Sequence, residues 1–341
     1  MIAPPPLQIR TVSDLGERAL VERITARLAM PSWVVVGPGD DAAVIEPQRG
    51  ALDVLTTDVQ VEGVHFDHRF VPPDAIGHRA LAVNLSDLAA MGAMPRAVLL
   101  SLVLPDALDV VIVDGLLDGL LALAAAHNVA VVGGNISRSP GPMMVDVTAV
   151  GAVRPRRVLT RAGARPGDGV YVTGTIGDGS VGLQSLQAAR GPAPQACQER
   201  YLRPQPRVRA GMLLGRNRAA SSCMDTSDGL ADAVRQLAEA SQVGMALDAS
   251  ALPIGDEVRR WHDAQGNSIA DSVVDAVIGG GDDYELLFTV RPAHLGRLRD
   301  VWHRLGGLPI TKIGMVTKGR QLFIRTEAGE RRLPAGFEHF R

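Results

Sequence analysis

Residues 170–182 read VYVTGTIGDGSVG, a β-branched run entering a turn in which Gly177, Gly179 and Gly182 have the spacing GxGxxG. A strand running into such a turn invites a dinucleotide-binding reading. That reading needs a helix, a second strand and an acidic residue about 20 residues on. Instead the chain runs through 184–190 into Pro192, Pro194, Pro204 and Pro206, which leaves no strand. The turn is therefore read as leading into a helix whose N-terminus can face an anion, and 191–206 as a surface loop.

Working outward, apolar spacing predicts helices over 13–30, from Pro72-Pro73-Asp74 to Met91-Gly92, and over 109–127. β-Branched runs predict strands at 33–37, 42–45, 52–57, 98–104, 129–132 and 143–153. In the second half, strands are expected at 170–173, 245–247, 285–290, 310–316 and 321–325. Helices are expected near 178–190, 205–216, 229–242 and 292–305. The mixture is that of an α/β or α+β protein. The break after Arg154-Pro155-Arg156 divides it into domains 1–153 and 154–341.

Composition narrows the function. The chain has 341 residues, 46% hydrophobic but only 4% aromatic, so aliphatic side chains and alanine fill its core. A net charge of −2 argues against a dedicated nucleic-acid binder. Two cysteines, Cys197 and Cys223, form no disulfide framework and fit a reducing cytoplasm. No apolar leader is read at the N-terminus, and no stretch is read as reaching the ~18 apolar residues of a membrane span. Only two lysines occur, Lys312 and Lys318, and neither follows a glycine-rich loop. Phosphate charge would then be met by arginine, backbone N–H groups or metal.

Acidic residues are grouped where apolar segments end: Asp40-Asp41 in GPGDDAAV, Asp58 in TTDVQVEGVHF, Asp87 in NLSDLAAMGA, Asp225 and Asp228 in MDTSDGL, and Asp282-Asp283 in GGGDDYELLF. Hard oxygen ligands of this kind suit Mg²⁺, which keeps several waters and shares substrate phosphates. Taken singly, each group is equally ordinary turn or cap chemistry; Ser227 or Asp225, for example, could cap the helix from Gly229. His65 has no Ser or Cys nucleophile pattern beside it, and GxSxG is absent.

In order, GDDAAV (39–44), TTDVQVEGVHF (56–66), NLSDLAAMGAMP (84–95), VVGGN (131–135), LTRAGARPGD (159–168), DTSDGL (225–230), GGGDDYELLF (279–288) and GFEHF (336–340) resemble the thiamine-monophosphate kinase family. That family belongs to the ATP-binding superfamily that includes aminoimidazole ribonucleotide synthetase. The resemblance implies a two-domain α/β (α+β) fold and a homodimer whose N-terminal mixed sheets pair, with ATP in a cleft. It implies transfer of the γ-phosphoryl group of ATP to thiamine monophosphate, assisted by several Mg²⁺ ions and without a covalent enzyme intermediate. No nucleic acid or membrane partner is implied.

By the same resemblance, Asp41, Thr56, Thr57, Asp58, Asp87, Asn135, Asp225 and Asp228 would bind Mg²⁺. Gly134, Asn135, Arg161 and Ser227 would contact ATP, and His65, Asp282 and Phe337 the thiamine substrate. Two positions depart from the family pattern. Asn135 stands where Asp is common, which removes one negative charge, and Asp282 stands where Glu is common, which shortens the reach by one methylene. Another ATP-using member of the superfamily, or a non-catalytic nucleotide-binding dimer, are the competing readings.

Overall fold

The computed structural model describes residues 11–188, 194–266 and 271–334; Phe337 and the segment 336–340 lie outside them. The chain divides into two compact units. The first comprises the described residues up to Gln48 together with Leu55–Asn84 and Arg96–Val150. The second comprises Arg49–Val54, Leu85–Pro95 and the chain from Gly151.

The N-terminal helix expected over 13–30 is two helices, α1 (Val12–Leu15) and α2 (Glu17–Thr25). Gly16 separates them at φ +79, a conformation in which a residue with a Cβ is strained. Strands β1 (Val34–Val36) and β2 (Val44–Ile45) pair antiparallel. Then come β3 (Leu52–Val61), α3 (Pro73–Ala90), β4 (Met94–Pro105), α4 (Val110–His127), β5 (Ala130–Ser139) and β6 (Met144–Val153). The last four strands form a sheet in the order β3-β6-β4-β5.

Burial alternates along β4, with Val98, Leu100, Leu102 and Leu104 buried and Leu99, Ser101 and Val103 more open. This is the period-2 signature of a sheet covered on one side. In the first unit α3 and α4 approach backbone to backbone. A Cβ on Gly77 would lie 1.8 Å from the Leu116 carbonyl oxygen, and one on Gly119 1.8 Å from that of Asp74. The 18 residues of α4 are in fact long and apolar enough to cross a membrane by length and composition, a correction to the sequence reading. Asp114 and Asp118 interrupt its apolar run without reversing its character. In this fold α4 buries Val113, Leu116, Leu117 and Leu120 in the protein core.

The second unit holds β7 (Gly169–Thr173), α5 (Asp178–Ala188), α6 (Gln195–Leu202), α7 (Val208–Asn217), β8 (Ser222–Asp225), α8 (Leu230–Ser241), β9 (Gly244–Asp248), α9 (Asp256–Ala264), α10 (Asp271–Gly279), β10 (Leu286–Val290), α11 (Leu295–Leu305), β11 (Ile310–Thr317), β12 (Leu322–Thr326) and β13 (Gly329–Arg332). Seven strands lie in the order β13-β12-β9-β11-β7-β10-β8. Both neighbours of β7 are antiparallel to it, so the glycine turn after β7 serves no parallel βαβ unit. Val170, Val172, Met245, Leu247, Leu287 and Ile313 from the strands pack with Leu230, Val234 and Leu237 of α8 in one core.

The expected loop at 191–206 is corrected by α6, which buries Cys197 and Tyr201. Its prolines bracket the helix rather than break it: Pro194 is the N-cap and Pro204 follows the C-cap. Gly182 makes the packing possible, because a Cβ there would lie 2.2 Å from the Cys197 carbonyl oxygen.

Candidate functional site

In the second unit the segments 225–230 and 279–285 clasp each other main chain to main chain. The Thr226 N–H donates to the Glu285 carbonyl over 2.9 Å, and the Asp282 N–H donates to the Ser227 carbonyl over 2.9 Å. The buried Thr226 hydroxyl accepts the Glu285 N–H at 3.1 Å. Glycine is required on both sides of the clasp. A Cβ on Gly281 would lie 2.4 Å from the Ser227 carbonyl oxygen, and one on Gly229 2.7 Å from that of Gly280. The strand register, with Leu286 opposite Asp225, brings the two acidic segments to the same end of the sheet.

Asp225 ends β8, a strand the sequence reading missed because its four residues SCMD lack β-branched character. It is buried, and its Oδ2 accepts the Ser86 hydroxyl at 2.6 Å. Ser86 precedes the half-buried Asp87 on α3, so this bond ties the helix turn that carries Asp87 to the end of β8. Ser227 and Asp228, both half-buried, follow in the turn that enters α8. The clasp therefore gathers four of the expected residues, Asp225, Ser227, Asp228 and Asp282, and the Ser86 bond ties the turn of α3 next to Asp87 to them.

The four consecutive polar residues 282–285 divide their work. Asp282 has φ +68 and Tyr284 φ +51, both left-handed and costly for residues with a Cβ. The Tyr284 hydroxyl donates to Asp282 Oδ1 at 3.1 Å. Asp283 turns inward and accepts the N–H groups of Gly177 (2.7 Å) and Gly179 (3.0 Å). The acidic group facing the GxGxxG turn is thus the protein's own Asp283 carboxyl. Burial pushes the Asp283 carboxyl up to about 8, opposed by those two N–H groups. Glu285 is fully buried and accepts the Thr173 hydroxyl at 2.6 Å, Arg207 Nε at 2.7 Å and Arg200 at 2.5 Å. The cluster was not legible in the sequence, because Arg200 lies within the stretch 191–206 read as loop.

Arg161 is exposed and donates to Gln236 Oε1 at 2.5 Å, which docks it on α8. Gln236 in turn is hydrogen-bonded to Asp232.

The first unit carries the remaining expected residues. Asp41 is exposed beyond Gly39, and its N–H donates to Asp40 Oδ1 at 2.9 Å. Strand alternation separates the run 56–58. Thr57 turns toward Asp146 and Thr148 of β6, each 3.1 Å away, so Thr56 and Asp58 face the other way. His65 Nδ1 accepts the Val61 N–H at 3.1 Å, which leaves the neutral ring's proton on Nε2. Gly134 and Asn135 are exposed on β5. A Cβ on Gly134 would lie 1.8 Å from the Leu100 carbonyl oxygen, so only glycine fits there.

All the candidate ligands are hard oxygens. Among the described residues no three His, Cys, Asp or Glu side chains close around one point. Such an open oxygen donor set fits Mg²⁺, which is held by one or two carboxylates and completed by water and substrate phosphates.

Residues 39–153 match the family model of the AIR synthase related protein N-terminal domain, and residues 165–327 that of the C-terminal domain. The fold and its acidic loops are thus those of an AIR synthase-related protein. The hydrogenase maturation protein HypE shares this fold at a TM-score of 0.78 and 20% identity. Closer in sequence is the thiamine-monophosphate kinase of Synechococcus elongatus, 36% identical over 97% of this chain and 98% of the relative. That of Bacillus subtilis is 33% identical over 96% and 100%. Among solved structures, the thiamine-monophosphate kinase of Stenotrophomonas maltophilia superimposes with a TM-score of 0.79 at 36% identity, covering 91% of this chain and 96% of that one. AaThiL complexed with AMPPCP and TMP superimposes with a TM-score of 0.75 at 33% identity, covering 96% and 98%. The chain belongs to the thiamine-monophosphate kinase family and is a kinase.

Proposed function

We propose that the chain transfers the γ-phosphoryl group of ATP to the phosphate of thiamine monophosphate, giving thiamine diphosphate and ADP, in the cytoplasm and as a homodimer. The observation that carries this is the clasp of 225–230 with 279–285, which sets Asp225, Ser227, Asp228 and Asp282 at one end of a sheet. A relative of the same fold is complexed with AMPPCP and TMP.

Asp87, Asp225 and Asp228, with Asp41, Thr56, Thr57, Asp58 and Asn135, are the residues that would hold Mg²⁺. Bound Mg²⁺ supplies charge neutralisation on the phosphate chain, which the near-absence of lysine leaves to metal and arginine. Gly134, Asn135, Arg161 and Ser227 would contact ATP, with Arg161 offering a planar fork to phosphate oxygens. His65 would offer a donor at Nε2 to the thiamine substrate, Asp282 an acceptor, and Phe337 an apolar wall. The acceptor is already a phosphate, so positioning is the main requirement and no side chain need act as a strong base.

β3 supports the homodimer. It is the edge of its sheet, with Leu55 70% and Val59 45% exposed, and an apolar edge of this kind is a template for a second copy. Chromatographic detection of thiamine diphosphate and ADP tests the reaction, and sedimentation tests the dimer. Well-folded protein that makes no thiamine diphosphate, or that sediments as a monomer at assay concentration, contradicts the corresponding part.

A further inference from the structure

Five arginines of the second unit, Arg154, Arg156, Arg157, Arg216 and Arg218, converge with Gly50 on one concavity of about 460 Å³. Some guanidinium groups of the unit are matched to carboxylates, as Arg200 and Arg207 are to Glu285. Among the described residues none of these five has a carboxylate partner. Five like charges around a single hollow repel one another, and among the described residues no carboxylate is paired with any of them.

The fold brings them together through one contact. Arg154, Arg156 and Arg157 ride on the short 3₁₀ turn Pro155–Arg157, closed by the Arg157 N–H donating to the Arg154 carbonyl at 2.8 Å. That turn seats on the C-terminal end of α7, where a Cβ on Gly215 would lie 2.4 Å from the Arg157 carbonyl oxygen. Arg216 lies in the last turn of α7, and Arg218 is its left-handed C-cap at φ +50, its carbonyl held by Arg297 at 3.2 Å. The helix dipole accounts for cations at 216 and 218. It gives no reason for the three on the facing turn. Gly50, at φ +71, opens onto free space, so the hollow is accessible.

We propose that this hollow is a second anion site, one that takes a compact oligophosphate group of at least two phosphates. Guanidinium forks suit phosphate oxygens, and the volume is that of a small-molecule site. No aromatic side chain lines it, so it offers nothing for a nucleobase to stack on and recognises the phosphates alone. None of the residues assigned to ATP, Mg²⁺ or thiamine monophosphate lines it. Arg154 and Arg156 stand outside the motifs that carry the family resemblance, so this is a property of the chain rather than of its reaction.

The test is calorimetric titration of the full chain with inorganic tripolyphosphate in EDTA, where the acidic loops, stripped of metal, repel it. One saturable site per chain is expected, weakening as salt is raised. Binding should fall at least tenfold in the double variant Arg156→Ala/Arg216→Ala and stay unchanged in Arg299→Ala, an exposed arginine on α11. Turnover of thiamine monophosphate, measured separately, should be unaffected in the double variant, which also certifies its folding. ATP titrated in the same buffer distinguishes the source of the phosphates. Equal affinity marks the tail of a nucleotide and weaker affinity marks a free phosphate chain, and both uphold the site. Absence of saturable binding, a double variant that binds like the wild type, an equal loss in Arg299→Ala, or a short single-stranded oligonucleotide binding more tightly than tripolyphosphate would each overturn it.

Discussion

The Ser86 hydroxyl donates to Asp225 Oδ2 over 2.6 Å and so joins the last turns of α3 to the end of β8. Asp225 is 5% exposed, and this bond holds its carboxylate in one orientation. A hydrogen bond to a charged group contributes about 1.5–3 kcal/mol. Ser86→Ala should therefore lower turnover by roughly ten- to a hundredfold. The loss should shrink as Mg²⁺ is raised if the bond orients a metal ligand. A rate that falls equally at every Mg²⁺ concentration would assign Ser86 to packing alone.

Glu285 predicts a stability effect separate from chemistry. Its carboxylate is fully buried between Arg200 and Arg207, and removing one partner of such a cluster costs about 3–5 kcal/mol. Glu285→Ala should lower the unfolding free energy from urea titration by that amount and disturb β10, whereas Asp282→Ala should leave it nearly unchanged. Equal effects of the two would show that the inward and outward roles are misassigned.

Asp283 predicts a pH dependence. Its carboxyl is raised to about 8, so the folded protein retains a proton that the unfolded chain releases near its ordinary value of 3.8. Between those two values the native state binds more protons, and stability falls as pH rises through that window. Thermal midpoints compared from pH 5 to 9 should fall with pH more steeply in the wild type than in Asp283→Asn. Parallel profiles would remove Asp283 as the cause.

Asn135 predicts a metal effect. It is exposed on β5, at a position where the family resemblance leads one to expect Asp. Asn135→Asp restores one negative charge and should lower the Mg²⁺ concentration that gives half-maximal rate several-fold, since metal affinity follows ligand charge. An unchanged Mg²⁺ dependence would take position 135 out of the metal site.

The acidic loops were legible in the sequence because each is a cluster of Asp and Gly at the end of an apolar run. Long periodic elements such as α3, α4 and β6 were equally plain. The division of labour within 282–285 was not. Asp282 and Asp283 are chemically identical neighbours, and only the left-handed backbone at 282 turns one outward and the other toward Gly177 and Gly179. Helix α6 was hidden by its flanking prolines, and with it Arg200, one of the two arginines that neutralise Glu285. Thr56, Thr57 and Asp58 read as one ligand run until the contacts of Thr57 with Asp146 and Thr148 show its side chain on the opposite face. Position 16 hid a break for a simpler reason: a single glycine does not end a helical pattern unless the chain turns there.

The account rests on the carboxylates of the 225–230 turn acting in phosphoryl transfer, and Asp225→Asn tests this most directly. The substitution keeps the shape of the side chain and the partner of the Ser86 hydroxyl but removes the charge. With ATP, Mg²⁺ and thiamine monophosphate, the wild type should form thiamine diphosphate and ADP in equal amounts. The variant, folded to the same thermal midpoint within a few degrees, should lose at least a hundredfold in kcat, about 2.7 kcal/mol at 1.36 kcal/mol per tenfold. An Asp225→Asn protein with wild-type kcat would contradict the assignment of this turn as the site of chemistry.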